Sequence, residues 1–371
     1  MTTPTAGPRV LVVTVVHRPD DARILHRQIP SLRAAGMSVT YAAPWRDAGV
    51  VPPDGLDVRE LPRATGRRRL GALTAAVRLL RSEAAAHDLV LLHDPELLLA
   101  VRRVGPDRLP PVVWDVHEDP AAAVRDRVWI PRPLRPVASG LLRRLERWAE
   151  GHVRLVLAED GYAARFTAAH PVVRNLPVRA AGPPAPVPAA VPGPPRLVYV
   201  GRISRGRGAD AMLELARRIG PAARLELAGD ADRDVRPRLD AAVAAGDVVW
   251  HGYVPADRTP ALLAGARVGL CLLADEPNYR VSLPTKVVEY LAHGLPVVAT
   301  PLPAVVRLLA DGAGELVAFD DVDAAERAVR VLLTDDAAHA AAASRARVVA
   351  ADLTWAAEGE RLVAALRGWV A

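Results

Sequence analysis

The 371-residue sequence contains only one cysteine, Cys271. A single cysteine excludes an intrachain disulfide and a zinc site built from several thiolates, and it is typical of a reducing compartment. Aromatic residues make up only 4% of the chain, which argues against nucleic-acid binding by interleaved aromatic and basic side chains. The chain also has no uninterrupted apolar run of the roughly 18 residues that a membrane-spanning helix needs. Because no targeting segment is visible at the start either, we expect a cytoplasmic protein.

Lysine is nearly absent, since Lys286 is the only lysine among 48 basic residues. The net charge is +6, and the excess of arginine over acidic residues lies in the first half. A basic half favours an anionic partner such as nucleic acid, a phosphorylated substrate or an acidic membrane surface. Residues 125–147 combine several arginines with Trp129, Ile130 and leucines. This segment predicts peripheral contact with the inner face of a membrane, with a basic helix packed on its own domain as the alternative.

Apolar runs rich in β-branched residues alternate with helical patterns over most of the chain. Such runs are typical of strands buried on both faces of a parallel sheet, with helices as crossovers. The alternation stops at the proline-rich residues 178–195 and then restarts. We predict α/β domains at 1–178 and 196–353, a linker at 179–195 and a final helix at 354–371. The predicted strands are 10–16, 39–43, 89–92, 112–116, 155–158, 197–200, 225–228, 248–251, 268–272 and 297–300.

The motif YVGRISRGRG at 199–208 has the character of an anion-binding loop. An apolar strand ends at Gly201, and three glycines and three arginines precede a helical pattern. A glycine-rich loop before a helix offers N–H groups to phosphate, and Arg202, Arg205 and Arg207 would neutralise a diphosphate. The spacing matches neither the dinucleotide fingerprint nor the P-loop. We interpret the loop as a phosphate site, with a basic solvated turn as the alternative.

A second motif, EPNYRVSLPTKVVEYLAHG, occupies 276–294. Ser282 or Thr285 is the predicted start of a helix that carries Lys286 and Glu289 on one face. An ordinary surface ion pair is the alternative to a functional site. The use of the only lysine here, in a chain that otherwise uses arginine, favours function.

Histidines and acidic residues follow the strands of the first half. Because the carboxyl ends of parallel strands meet at one edge of a sheet, we expect the side chains that follow the strands at 89–92 and 112–116 to share a site. Strand-end caps, and a capped solvated helix after the first strand, are the alternatives. No spacing matches a metal signature. The residues concerned are His17, Asp20, Asp21, Arg23, Arg27, His93, Asp94, Glu96, Asp115, His117, Glu118 and Asp119.

Taken together, these motifs resemble the family-4 retaining glycosyltransferases of the GT-B fold, in particular enzymes of bacterial polysaccharide and antigen assembly. The resemblance covers nearly the whole chain and is carried by HDPELL at 93–98, DVHED at 115–119, YVGRIS at 199–204, HGYVP at 251–255 and the segment 277–300. It implies two Rossmann-like domains that face each other across a cleft. The first would bind the acceptor and the second the nucleotide sugar, and the last helix would cross back to the first domain.

The resemblance also implies roles for individual residues. Arg202 and Arg207 would bind the donor diphosphate, and His117 would lie against the donor sugar; these three form the predicted catalytic set. The other predicted donor-binding residues are Gly201, Tyr253, Val254, Thr285, Lys286 and Glu289. The other predicted donor-sugar residues are Glu276, Asn278 and Pro284. The predicted acceptor-side residues are His17, Asp21, Arg23, His93, Asp94 and Glu118.

One position departs from the family's pattern. The family often has two glutamates eight residues apart, of which Glu289 would be the second and would bind the donor ribose. The first position is Val281, which cannot accept a hydrogen bond. Glu276 or Asn278 would have to substitute for it, which leaves the donor sugar open.

The predicted function is transfer of a sugar from a nucleoside-diphosphate sugar, with UDP as the first choice of nucleotide and GDP or dTDP as others, to an acceptor with retention. Retention would proceed by attack on the leaving-group face, with the diphosphate helping to take the acceptor proton. We expect no cofactor, no obligate metal and no nucleic-acid partner. The acceptor stays open among a lipid-linked glycan, a polysaccharide and a small natural product. A nucleotide-sugar epimerase and a catalytically silent nucleotide-sugar-binding scaffold are the alternatives.

Overall fold

The computed structural model describes residues 7–126, 131–178 and 193–370. The chain divides into two compact units, one of Met1–Asn175 with Ala356–Ala371 and one of Leu176–Trp355. The predicted linker lies outside the described residues, apart from its last three. In the described part of the chain, no helix combines the length and the hydropathy that crossing a membrane requires.

Strands and helices alternate through both units. The strands are β1 (Arg9–Val13), β2 (Ser38–Ala43), β3 (Asp57–Glu60), β4 (Leu89–Leu92), β5 (Val112–Val116), β6 (Arg154–Leu157), β7 (Arg196–Val200), β8 (Arg224–Ala228), β9 (Val248–Trp250), β10 (Val268–Cys271), β11 (Val297–Ala299) and β12 (Gly314–Leu316). The helices are α1 (Ile29–Ala34), α2 (Trp45–Ala48), α3 (Arg69–Glu83), α4 (Leu97–Val104), α5 (Pro120–Asp126), α6 (Arg135–His152), α7 (Ala209–Ile219), α8 (Arg236–Ala245), α9 (Thr259–Leu263), α10 (Pro277–Arg280), α11 (Thr285–Ala292), α12 (Pro303–Leu309), α13 (Val322–Thr334), α14 (Asp336–Ala350) and α15 (Trp355–Arg367).

Each unit contains a six-stranded parallel sheet, and the two sheets have the same order. The first is ordered β3-β2-β1-β4-β5-β6 and the second β12-β11-β10-β7-β8-β9. The chain therefore reverses its direction of winding between β1 and β4, and again between β7 and β10. Ligands of such sheets bind where the strand order reverses, outside the carboxyl ends of the strands. The fold thus marks one candidate site in each unit.

All ten predicted strands are present, to within three residues at each end. The sequence analysis missed β3 and β12, which both lie at a sheet edge. Their sequences, DVRE and GEL, are partly exposed and carry charges. These two edge strands lack a continuous apolar run, so hydrophobic patterning does not detect them, whereas the edge strands β6 and β9 have such a run and were predicted.

The helix expected after the first strand has two parts. Ile24–Gln28 forms a wide π-helical turn, and α1 continues it with conventional geometry. In this turn the Gln28 N–H donates to the carbonyl of Arg23 at 2.9 Å. The turn matters to the site, because the side chains of both residues bind the same carboxylate, that of Asp115.

The helix α15 packs on the first unit from its second residue onward. The Arg174 backbone N–H donates to the Glu358 carboxylate at 2.9 Å, and the Arg367 guanidinium donates to the Ala35 carbonyl at 2.5 Å. Leu362 and Leu366 are fully buried. The final helix of the chain thus adds to the core of the first unit, although it follows the second in sequence.

Candidate active site

In the second unit, the loop after β7 packs so closely against neighbouring backbone that several positions have room only for glycine. A Cβ atom at Gly208 would lie 2.0 Å from the carbonyl oxygen of Leu272, and one at Gly229 would lie 2.1 Å from that of Gly201. Both residues have positive φ, which favours glycine independently. The Ala274 N–H also donates to the carbonyl of Gly206 at 2.9 Å. The loops after β7, β8 and β10 therefore form one rigid edge at the reversal point.

Two cationic side chains converge above Gly201 at this edge. A Cβ atom built there would lie 3.5 Å from Lys286 Nζ and 3.7 Å from Arg207 Nη1. Lys286 is only 8% exposed, and its ammonium group donates to the Tyr199 hydroxyl at 3.2 Å and lies 4.4 Å from the centre of that ring. Its burial contradicts the alternative of a surface ion pair.

Arg207 is held by tyrosines rather than by acidic residues. Burial would lower the pKa of its guanidinium, but hydrogen bonds and charge from Tyr199 and Tyr279 outweigh burial and raise it. Among the described residues, no carboxylate forms an ion pair with Arg207 or Lys286. Two neighbouring cations without a counter-ion in a partly buried site favour the binding of an anion.

The two other arginines of the loop are engaged elsewhere. Arg202 Nε donates to Asp232 Oδ1 at 2.6 Å, and Arg205 Nε lies 3.1 Å from Asp234 Oδ2. Both arginine side chains are more than 60% exposed. The structure thus pairs Arg207 with Lys286, whereas the sequence analysis paired it with Arg202. A diphosphate contact by Arg202 would require its ion pair to open.

The segment between β10 and α11 supplies the rest of the predicted donor site. Pro284 is buried and precedes Thr285, the first residue of α11, so the predicted helix start at Thr285 is correct. The Glu276 carboxylate lies against the loop after β7, since a Cβ atom at Gly206 would be 2.7 Å from Glu276 Oε1. Glu276 and this loop line a cavity of about 300 Å³. Asn278 lies in α10 and is partly buried.

Four further positions lie at the carboxyl edge of the sheet or on the segment that leads into and forms α11. Val281, at the position of the missing glutamate, is about half exposed. Tyr253 and Val254 follow β9 at the carboxyl edge of the sheet, where Tyr253 is 38% exposed. Glu289 lies on α11 and is partly buried. Their contacts with donor base, ribose and sugar stay predictions.

In the first unit, Asp115 is the centre of a buried polar cluster. Arg23 donates to both of its carboxylate oxygens at 2.7 Å, and the Gln28 amide donates to Oδ2 at 2.9 Å. Burial would raise the pKa of Asp115, but the charge and hydrogen bonds of Arg23 hold it well below its usual value. Arg23 is 3% exposed. The alternative of a solvated helix start is therefore wrong for Arg23, and contact with an acceptor would require Arg23 to leave Asp115.

Asp94 holds the loop after β1 in place. Its Oδ2 accepts hydrogen bonds from the N–H groups of Val15 at 2.5 Å and Val16 at 3.1 Å, and from the Thr14 hydroxyl at 3.0 Å. Its Oδ1 lies 3.3 Å from His17 Nε2. Because Asp94 is fully buried, it supports the loop and His17 from within, and it has no surface to offer an acceptor in this arrangement.

The histidines meet at the same edge. His117 Nε2 lies 2.7 Å from His17 Nε2, and His117 Nδ1 lies 3.0 Å from the backbone carbonyl of Asp115. His93 is buried, with Nδ1 3.2 Å from Asp115 Oδ2. The structure therefore brings together five predicted residues from three separate loops, namely His17, Arg23, His93, Asp94 and His117.

Two predicted residues of this edge lie at its margin. Asp21 Oδ1 accepts from the N–H groups of Arg23 and Ile24, so it caps the π-helical turn, as the sequence analysis anticipated. Glu118 is exposed, and its backbone carbonyl accepts from Arg165. Asp119 caps α5 through the Ala122 N–H, so for this residue the simple capping interpretation is correct.

The cluster does not fit a metal ion. His93, Asp115 and His117 offer ligand atoms within 4.8 Å of one another. The Asp115 carboxylate, however, already binds the Arg23 guanidinium through both oxygens. A divalent cation would have to displace this buried partner and leave its charge unpaired, at a cost of several kcal/mol.

Sequence reasoning missed Tyr199, Tyr279 and Gln28, which orient the charged groups. Tyr199 stands in the phosphate motif and Tyr279 in the segment 276–294. Because each has an aromatic ring, a hydrophobic pattern predicts that both are residues of the hydrophobic core. Only the folded structure reveals that their hydroxyls and the Gln28 amide face charges.

The strand order of each unit is that of the GT-B class of fold, and comparisons with known proteins agree. The family described as Glycosyl transferases group 1 matches residues 194–335. Sucrose-phosphate synthase from Thermosynechococcus elongatus is similar in structure, with a TM-score of 0.73, 18% identity, and coverage of 97% of this chain and 98% of that one. No curated protein matches the sequence significantly.

Two further solved structures are similar over their whole length. The Anabaena protein HepE in complex with UDP and glucose has a TM-score of 0.71 at 13% identity, with 98% of this chain and 100% of that one covered. AviGT4, a glycosyltransferase involved in Avilamycin A biosynthesis, has a TM-score of 0.60 at 20% identity, with 98% of each chain covered. The GT-B fold expected from the sequence is thus confirmed, and the match to the group 1 glycosyltransferase family covers most of the second unit.

Proposed function

We propose that this protein is a retaining glycosyltransferase that moves a hexosyl group from a nucleoside-diphosphate sugar, UDP-linked in first place, to an acceptor. The observation that carries the proposal is the pair of cations above Gly201, Arg207 and Lys286, at the point where strand order reverses. A diphosphate is the anion that matches two adjacent cations beside the start of α11. The solved relatives with UDP and UDP-glucose support this donor class.

The chemistry needs stabilisation of a leaving group. When the bond from sugar C1 to the diphosphate oxygen breaks, negative charge grows on the diphosphate. Arg207 and Lys286 already carry positive charge there and are held by tyrosines, so little reorganisation is needed as the reaction proceeds. A preorganised donor of this kind contributes about 3–4 kcal/mol to the transition state.

The remaining predicted roles belong to the same proposal. Thr285 offers its N–H to the diphosphate, Glu289 binds the ribose, and the backbone at 253–254 meets the base. His117 is assigned to the donor sugar and Glu276 or Asn278 to its hydroxyls. No protein nucleophile is required, because the leaving diphosphate takes the acceptor proton. We propose no metal cofactor, because two fixed cations supply the charge that a metal would otherwise bring.

Binding of nucleoside diphosphates tests the cation pair directly. Thermal unfolding is measured with UDP, GDP, dTDP, ADP and CDP, without added metal. A nucleotide at 100 times its dissociation constant stabilises the protein by about 2.7 kcal/mol, which corresponds to a rise in Tm of several degrees. We expect one base to be preferred.

Two matched variants show whether the nucleotide occupies the proposed place. Lys286→Met removes the buried ammonium group and should abolish most of the rise in Tm. Arg205→Gln removes an exposed arginine of the same loop and should preserve it. An equal loss in both variants would show that binding depends on general positive charge, and the proposed site would be wrong.

Product analysis then separates transfer from the alternatives. Incubation with the preferred donor alone should leave its sugar unchanged in configuration at every ring carbon, apart from slow hydrolysis. Conversion into an isomeric nucleotide sugar would identify an epimerase instead. Binding without turnover in the presence of a broad panel of lipid-linked, polysaccharide and small natural-product acceptors would favour the silent scaffold.

A further inference from the structure

The imidazole rings of His17 and His117 contact each other edge to edge. Their Nε2 atoms are 2.7 Å apart, and the ring centres are 4.5 Å apart at an interplanar angle of 58°. Two nitrogen atoms approach this closely only when a single hydrogen lies between them, because two lone pairs or two N–H groups facing each other repel. The contact therefore requires one shared proton.

The outer nitrogen of each ring is constrained by its own neighbour. His117 Nδ1 lies 3.0 Å from the carbonyl oxygen of Asp115, which only accepts, so this nitrogen carries hydrogen. His17 Nδ1 lies 3.9 Å from Asp21 Oδ2, and His17 Nε2 lies 3.3 Å from Asp94 Oδ1. Both carboxylates only accept hydrogen bonds, so they face His17 as acceptors. When both outer nitrogens carry hydrogen and one proton is shared, the pair carries one positive charge.

The surrounding charges favour this state. The groups that face the pair are Asp21 and Arg23 after β1, Tyr41 on β2, His93 and Asp94 after β4, Asp115 and Glu118 on and after β5, and Tyr162 in the turn before residue 166. Besides Glu118, these groups include three carboxylates, those of Asp21, Asp94 and Asp115, but only one guanidinium, that of Arg23. A single positive charge on the histidine pair reduces this imbalance, whereas a second proton would break the short contact.

We infer that His17 is a positioning residue for His117: it shares a proton with His117 Nε2, fixes the orientation of that ring and limits the pair to one positive charge. This role differs from the acceptor contact that the resemblance implied for His17. It rests on the proposed function only for its consequence in catalysis, because the shared proton itself is a property of the free protein.

Nuclear magnetic resonance of the free protein with ¹⁵N-labelled histidine tests the shared proton without any substrate. At pH 7.5 we expect scalar coupling between the Nε2 atoms of the two histidines, transmitted through the hydrogen bond. His17→Gln should abolish it. His87→Gln is the matched control, because His87 is partly buried in the same unit with hydrogen bonds to Glu83 and Thr40, and it should preserve the coupling. Two independently titrating rings without coupling would overturn the inference.

Kinetics tests the consequence for catalysis. His17→Leu should lower kcat about ten- to a hundredfold through misorientation of His117, with KM for the donor changed less than threefold. His17→Gln, which can still hydrogen-bond, should restore most of kcat. The wild-type kcat should fall at acid pH, when a second proton separates the rings, and this fall should be absent in His17→Gln.

The two experiments fail separately. Equal kcat values and unchanged pH profiles in both His17 variants would overturn the positioning role. If the two rings show scalar coupling but the protein transfers no sugar, the shared proton is confirmed. Only the proposed function is then contradicted.

Discussion

The two units share one strand order but differ in the charge at their carboxyl edges. Beside β1 and β4, the buried carboxylates Asp94 and Asp115 are surrounded by N–H groups, histidines and Arg23. Beside β7 and β10, Arg207 and Lys286 form hydrogen bonds with tyrosine hydroxyls and have no carboxylate partner within the described ranges. The buried carboxylates of the first edge therefore have partners within it, whereas the two cations of the second edge form no ion pair with a carboxylate among the described residues.

This difference arises in the loops, since the sheets that carry them are alike. The π-helical turn after β1 delivers Arg23 and Gln28 to Asp115, and the glycine-rich turn after β7 lets two cations close over Gly201. Topology determines where a ligand can bind, and the side chains of the loops determine which ligand that is. For the proposed glycosyl transfer, this contrast supports binding of the anionic leaving group by the second unit.

The largest expected effect is on the free energy of unfolding, and it comes from removing the buried charge of Asp115 in the first unit. Asp115→Asn leaves the Arg23 guanidinium buried without a counter-charge, which should cost about 3–5 kcal/mol of the free energy of unfolding. Urea unfolding of the purified variant measures it. Asp88→Asn is the control, because it removes the partner of Arg9 at the surface, where such pairs contribute at most about 1 kcal/mol. Similar losses of unfolding free energy in the two variants would mean that the buried pair of Asp115 and Arg23 contributes no more than a surface ion pair.

Removing a cation from the pair formed by Arg207 and Lys286 should affect activity more than stability. Arg207→Gln removes one of the two unneutralised cations and should lower kcat about 10²- to 10³-fold, or about 3–4 kcal/mol. Steady-state kinetics with the preferred nucleotide sugar measures the loss. Arg202→Gln should lower kcat less, since Arg202 already pairs with Asp232. The reverse ranking would restore the assignment made from the sequence.

The protonated histidine pair makes the first edge sensitive to alkali. Burial alone would lower the pKa of His117, but the hydrogen bond and charge of Asp115 outweigh it and raise that pKa to about 9. The unfolded value is about 6.5, so this stabilisation is fully present below pH 6.5 and is lost as the pH rises through 9. The free energy of unfolding should fall by about 3 kcal/mol across this window. His117→Gln should remove the dependence, and a variant that keeps it would place the titrating group elsewhere.

The sequence was sufficient for ten of the twelve described strands, because buried parallel strands leave strong local patterns, while the roles of the site residues stay predictions. It did not reveal which charges pair. Arg202 and Arg207 look equivalent in YVGRISRGRG, yet one meets Asp232 and the other meets tyrosines. Such pairings depend on residues that are distant in sequence, as Arg23 with Asp115 and His17 with His117 also illustrate.

A surface outside both edges carries the smallest expected effect. On α6 and just before it, Leu134, Val137 and Leu141 are each more than half exposed, and their spacing of three and four residues places them along one face. Arg144 is exposed beside them. The neighbouring Trp129 and Ile130, which the sequence analysis assigned to membrane contact, lie outside the described residues. An apolar stripe flanked by arginine is suited to an anionic bilayer surface.

Binding to vesicles with and without anionic lipid tests this surface. Arg144→Glu should weaken binding to anionic vesicles by about 1–2 kcal/mol, since each basic residue near such a surface contributes about 1 kcal/mol and the variant also reverses the charge. Arg143→Glu is a poor choice, because Arg143 pairs with Asp119 and Glu146 and its loss would disturb the fold. Leu141→Ser should weaken binding without changing its salt dependence. If both variants bind as the wild type does, α6 is a solvated helix, and the basic character of the first unit has no role at a membrane.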